Sequence, residues 1–352
     1  MLSEEQKTIL SSTEQSTLLS SVESEKLTWL WEKRIPRGEL TILDGDPGLG
    51  KSLITLDLAA RITTGRPMPD GTPGIQGSVV LIAPEDGIND TIKPRIEAAG
   101  GDPSHIHLLN YIGSTNSILP TPFNLSQHSS ILYRTVLRTS PALVILDPFM
   151  AILGLRISAF NDQKIRAKLS ELTLMAKLLN CSVLIVRHLN KGGSENPLYR
   201  GGGSIGVIAT TRSGLLVVPH PSDENKRLLV STKNNLSEKA SNLVYQVIAN
   251  AEGVPSIQWL GTNCDPVASL LSGGSSLSFE RQDILKVLQA ADHPLGHKEL
   301  AAQTGQDRTL VRQMLRRMLN AGEIISPAYG LYTTHHHLSP EISLSQNIDA
   351  VK

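Results

Sequence analysis

Short runs of unbroken apolar residues take turns along this chain with longer stretches in which apolar residues return every three or four positions. The runs are residues 39–44 (ELTILD), 78–83 (SVVLIA), 143–147 (LVILD) and 182–186 (SVLIV). A strand apolar on both faces is one that helices cover from both sides, so these read as strands of a buried parallel sheet. The helical stretches are 53–64, about 89–99 with Gly100 and Gly101 as a C-cap, 127–139 and 162–179. Their alternation predicts an α/β fold, a mainly parallel sheet flanked by helices. A shorter strand is expected at 106–110 and a loop at 114–123. Trp29, Leu30 and Trp31, ahead of Pro36 and Gly38, read as a short helix and turn. Three further β-type runs, 213–218, 227–233 and 243–248, lie at hairpin-scale gaps and predict antiparallel strands along one edge.

Polar stretches divide the chain. Residues 1–26 carry few large apolar groups and are expected to form a disordered tail, as are 335–352, where His335, His336 and His337 read as incidental. Residues 263–278 turn to Gly, Ser and Asp, the composition of a linker. A large α/β unit over 27–262 therefore precedes a small α+β one over 279–334. In the latter, helices at 279–290, 297–304 and 307–320 and a two-stranded wing at 322–333 make a winged helix-turn-helix pattern.

Charge changes this picture little. Lys plus Arg and Asp plus Glu both number 33, so no global field draws the molecule to nucleic acid, and any such contact must come from a local patch. Cys181 and Cys264 match no metal or redox spacing and read as free thiols of a reducing cytoplasm. No run approaches the roughly 20 apolar residues of a membrane helix, and the N-terminus lacks a signal peptide's pattern. A cytoplasmic protein with no membrane partner is expected.

The chemistry sits at the first strand-to-helix junction. Gly45, Asp46, Pro47, Gly48, Leu49, Gly50, Lys51 and Ser52 (GDPGLGKS), followed by Leu53, fit G-x-x-x-x-G-K-[ST]. In that loop backbone N–H groups and a helix N-terminus converge on phosphate. ATP and Mg2+ are the expected ligands, Lys51 reaching the terminal phosphates and Ser52 the metal. Asp147, ending an apolar strand, fits the carboxylate that anchors magnesium. Glu85, just past another strand, suits a general base polarising water, with Asp86 as fallback. His188 follows a third strand and could sense the terminal phosphate. The tryptophans at 29 and 31 could stack on adenine, although core packing explains them more simply.

The runs GELTILDGDPGLGKSLITLDLAARITTGRPMPDG, VVLIAPEDG, LVILDP and RHLNK, in this order, resemble the RecA-like ATPases of the plasmid replicative helicase RepA family, over about residues 27–248. The resemblance implies a RecA-like core, often a hexameric ring with ATP at subunit interfaces, and DNA as partner. It implies Lys51 and Ser52 as the Walker A pair, Glu85 as catalytic glutamate, Asp147 as Walker B acid and His188 as sensor. Residues 200–212 (RGGGSIGVIATTR) resemble the family's Arg-Gly-Ser stretch, which makes Arg212, then Arg200, the candidate arginine finger on a neighbour's ATP. The sequence departs from the pattern in two places: at Arg187, where many relatives carry a second histidine or other polar residue, and at Lys233, Asn234 and Asn235, where DnaB-type enzymes place Lys-x-Arg. The glycine-rich loop at 190–203, with Lys191, is the candidate for a DNA-tracking pore loop. In the winged helix, Arg308, Arg312 and Arg316 form a basic stripe beside an apolar face of Leu310, Val311, Met314, Leu315 and Met318. Three readings follow: a helicase-like replication ATPase of a plasmid, phage or mobile element, a recombination or repair ATPase that does not unwind, and a nucleotide-switched DNA-binding regulator.

Overall fold

The computed structural model describes residues 18–114, 117–154, 162–189, 210–263, 279–320 and 323–334. After a 3-10 turn at Leu19–Ser21 comes a hairpin of β1 (Trp29–Trp31) and β2 (Ile35–Pro36), where a short helix was expected. Lys33 takes a left-handed turn conformation, which reverses the chain and drops Trp31 wholly into the core. Core packing, then, is what that aromatic does.

β3 (Leu40–Gly45) leads through the glycine loop into α1 (Lys51–Thr64), which Gly65 closes in a left-handed cap. After β4 (Val79–Ile82), one π turn at Ile88–Ile92 runs into α2 (Lys93–Ala98), and β5 (Ile106–Leu108) follows. β6 (Tyr111–Ser114) and β7 (Ser117–Pro122) form an outlying ribbon in place of the expected loop. Residues 111–113 bury no face fully, so no alternation marked this ribbon in advance. α3 (Leu125–Thr139), β8 (Leu143–Leu146), α4 (Phe149–Leu153), α5 (Asp162–Leu178) and β9 (Ser182–His188) complete the parallel part. β10 (Ser213–His220), β11 (Asp223–Asn234), β12 (Asn242–Ala249) and β13 (Pro255–Asn263) extend it.

Among the described residues these strands make a nine-stranded sheet in the order β13-β12-β11-β10-β3-β9-β8-β4-β5. From β10 to β5 every neighbour is parallel, and beyond β10 every pair is antiparallel. β10 thus corrects the expectation of an all-antiparallel edge: it enters beside β3 in parallel and then turns back into β11. β13 was not anticipated, since much of it faces solvent and it offers little buried pattern.

Burial alternates along the strands. Val79 and Leu81, like Leu143 and Ile145, face the core beneath α1 and α2. Val80 and Ile82, like Val144 and Leu146, face the core beneath α3 and α5. This two-sided burial is the reason the strands read as unbroken apolar runs. It also holds their C-terminal ends at one rigid edge.

A separate core lies in α6 (Phe279–Ala290), β14 (Leu295–Gly296), α7 (His297–Thr304), α8 (Arg308–Asn320), β15 (Ile325–Ala328) and β16 (Leu331–Thr333). Ile284, Leu288, Leu300, Val311, Leu315 and Met318 fill it, and the strands pair in the order β14-β16-β15. Asp307 accepts from the Thr309 and Leu310 amides and so caps α8. Leu310 is 38% exposed and does not belong to the apolar face assigned to it. No helix among the described residues is long and apolar enough to cross a membrane.

Candidate nucleotide site

The loop between β3 and α1 depends on two glycines. Gly45 has φ +156°, and a Cβ there would stand 3.0 Å from the Val217 carbonyl oxygen of β10. Gly50, with φ +87°, is the left-handed N-cap of α1. The helix therefore starts directly on the loop, and its first amides, which have no intrahelical acceptor, open onto it.

Lys51, the first helical residue, is only 3% exposed, and its Nζ donates to the carbonyl oxygens of Gly45 and Asp46, each at 2.8 Å. Burial lowers its pKa, while Asp147, Asp46 and Asp44 pull it back up. An ammonium held by neutral carbonyls gains a stronger acceptor when a phosphate arrives.

Asp147 directly follows β8 and is 5% exposed. Burial pushes its pKa from 3.8 to about 6, against hydrogen bonds from Ser52 and Thr55; Asp86 adds to the rise and Lys51 opposes it. The Thr55 hydroxyl lies 3.2 Å from an Asp147 carboxylate oxygen. Thr55 escaped the motif, although its place one helical turn after Ser52 puts both hydroxyls on one face.

Glu85 lies exposed in the turn after β4. Asn110 fixes that turn's root: its Nδ2 donates to the Ala83 carbonyl at 2.8 Å and its Oδ1 accepts from the Ala83 amide at 2.7 Å. Asp86, the fallback base, is instead engaged with Arg95 at 3.9 Å. His188 ends β9 in register with Gly45. Partial desolvation, then the Lys51 charge, holds its pKa below the ordinary value, while Glu85 raises it. Lys51, Ser52, Asp147, Glu85 and His188 therefore share one sheet edge.

Arg187 resolves one departure from the family pattern. It is fully buried, and its Nε and Nη2 each donate at 2.8 Å to a different Asp44 carboxylate oxygen. The two residues are register partners on β9 and β3. A bidentate pair between β3 and β9 occupies the position; its acidic member was legible only once the strands were paired.

Arg212 stands elsewhere. It immediately precedes β10, and its amide donates to the Leu40 carbonyl at the start of β3. It lines a cleft of about 460 Å³ with Glu39, Lys177 and Thr210, at the sheet end opposite the glycine loop. Its carbonyl accepts from the Asn235 amide at 3.0 Å. Desolvation, then the Arg212 charge, lowers the pKa of Lys233. Lys191 and Arg200 lie outside the described residues. Arg308, Arg312 and Arg316 are exposed along α8.

The donor set fits magnesium. A hydroxyl and a carboxylate are hard oxygen ligands for an ion that keeps several waters and travels with phosphates. No group of three or more His, Cys, Asp or Glu among the described residues could cage a metal alone.

A phosphate-binding loop between a central parallel strand and a helix, with an acidic strand end beside it, defines a P-loop ATPase core of the RecA-like kind. The chain belongs to the AAA domain family, whose model matches residues 7–194, over half of its length. Among curated proteins it is similar to "DNA repair protein RadA" of Bacillus subtilis (strain 168), 24% identical over 165 residues, 46% of this chain and 30% of that protein. It is likewise similar to "DNA repair protein RadA" of Streptococcus pneumoniae (strain ATCC BAA-255 / R6), 26% identical over 159 residues, 45% of this chain and 31% of the relative. The chain thus spans about a third of the length of these relatives.

Proposed function

We propose that this chain hydrolyses ATP and uses the cycle to act on DNA. The observation that carries the reading is the convergence of Lys51, Ser52, Asp147, Glu85 and His188 on one sheet edge. Lys51 leaves the loop carbonyls for the phosphates. Ser52 and Asp147 are the residues that would hold magnesium, which supplies charge neutralisation on the phosphates when bound. Glu85, exposed and rooted by Asn110, orients the attacking water and accepts its proton. His188, whose pKa is held below the ordinary value by partial desolvation and then by the Lys51 charge, hydrogen-bonds the terminal phosphate and reports its loss to β9.

DNA as the partner is supported by the RadA names of the relatives and by the exposed arginines of α8. The 279–334 unit is then a winged helix-turn-helix that contacts phosphates, and Lys191 contacts the backbone of a single strand. Arg212, beside Lys233 and at the far sheet end, acts on a neighbour's nucleotide in a hexameric ring, with Arg200 as the alternative. A role in repair is favoured by the relatives' names; a helicase-like ring of a plasmid, phage or mobile element is favoured by the RepA-like motif order.

ATP turnover measured with and without single-stranded DNA tests the core of this reading. DNA is expected to raise the rate, Lys51→Ala to abolish it, and displacement of a strand from forked DNA to separate the helicase from the repair reading. Turnover that survives Lys51→Ala would remove the site, and turnover indifferent to DNA would remove the partner.

A further inference from the structure

The antiparallel edge of the sheet does more than widen it. β12 and β13 curl over α1, and the Trp259 indole N–H of β13 donates to Asp57 of α1 at 2.8 Å. Beside Trp259, its ring centroid 5.4 Å away, lies Tyr245 of β12. Tyr245 is 0% exposed as a residue, yet its hydroxyl reaches the glycine loop and donates to the Leu49 carbonyl oxygen at 2.6 Å. Burial raises the phenol's pKa, so it remains a donor across the physiological range.

The consequence lies in the peptide that Leu49 shares with Gly50. A trans peptide is planar, with C=O and N–H pointing in opposite directions. Holding the Leu49 carbonyl toward β12 aims the Gly50 N–H away from it. The same strands floor the loop: a Cβ on Gly50 would meet Val247 at 3.5 Å, and Ile257 and the Tyr245 ring at 3.9 Å. The last peptide before Lys51 thus has its rotation fixed by a hydrogen bond and its depth fixed by apolar contacts.

We infer that Tyr245 is a positioning residue for nucleotide binding, pre-orienting the Leu49–Gly50 peptide so that the loop amides meet phosphate without reorganising. This rests on the P-loop being the nucleotide site. It also makes the hairpin of β12 and β13 part of that site, although its residues are nearly 200 positions from the loop in sequence.

Tyr245→Phe removes the hydroxyl and keeps the ring. The probe is a fluorescent N-methylanthraniloyl ADP, titrated into the full-length wild type and variant, alongside steady-state ATP kinetics. The variant's Kd and KM are expected to rise about three- to tenfold, the net worth of one hydrogen bond, with kcat within twofold. Hydrogen exchange in nucleotide-free protein gives the second readout: faster exchange at Gly50 and Lys51, unchanged along α5. A Kd within 1.5-fold of wild type overturns the role of Tyr245 alone, as does exchange quickened everywhere or nowhere. Wild-type protein that binds no nucleotide overturns the P-loop reading and this inference with it.

Discussion

Asp147 shows how one residue's burial carries into a measurable property. Its carboxyl is raised to about 6 because it is taken out of water, and the Ser52 and Thr55 hydroxyls repay only part of that loss. The folded-state value stands above the ordinary 3.8, so between these values the folded protein holds a proton that the unfolded chain has released. The contribution of Asp147 to the stability of the metal-free, nucleotide-free protein therefore rises as pH falls from about 7 toward 4 and is lowest once the carboxylate is fully charged. The effect can reach roughly 3 kcal/mol, at about 1.4 kcal/mol per pKa unit. Urea unfolding with a chelator present, at several pH values, reads it directly. Asp147→Asn is expected to be the more stable protein at pH 7.5 and to lose that advantage by pH 4; a gap independent of pH would mean that Asp147 does not titrate in this window.

At the scale of elements, legibility followed burial. β3, β4, β8 and β9 could be read because helices cover both faces, which leaves unbroken apolar runs; the glycine loop could be read because phosphate binding needs fixed residue types at fixed spacing. β13 could not, since a strand that faces solvent needs little apolar pattern. Nor could Thr55, Asn110 or Tyr245, whose roles arise from contacts with residues distant along the chain. The arginines of α8 were legible in advance because a stripe at every fourth position is local to one helix. Val311, Leu315 and Met318 turn inward, which leaves Arg308, Arg312 and Arg316 outward on a helix whose own core anchors it. If each neutralises one phosphate, changing all three to alanine lowers the slope of log K against log salt by about 2.7 on duplex DNA, at roughly 0.9 per contact. Fluorescence anisotropy across a salt series measures this. An unchanged slope would direct the stripe to a protein partner or to solvent.

For the whole molecule, the parallel register of β10 and β3 sets what one copy can do alone. Ser213 pairs with Thr41 and Val217 with Gly45, so Arg212 sits at the level of Leu40, five residues before the glycine loop begins. At about 3.3 Å per strand residue that is roughly 16 Å along the sheet, beyond the reach of an arginine side chain toward phosphates at the opposite end. If Arg212 serves hydrolysis, it serves the nucleotide of a second copy, and each site is then made of two chains. Such a heterologous contact repeats from copy to copy, in a ring if the rotation closes and in a filament if it does not. Lys51→Ala and Arg212→Ala proteins are each expected to be inactive alone. Mixed after dissociation, they form some interfaces with an intact P-loop on one side and an intact Arg212 on the other. With random assortment and one arginine donor per site, about a quarter of interfaces are of that kind. Turnover should therefore return toward a quarter of the wild-type rate, whereas a mixture as inactive as its components, or an Arg212→Ala protein active by itself, would show that the site is complete without its neighbour's arginine.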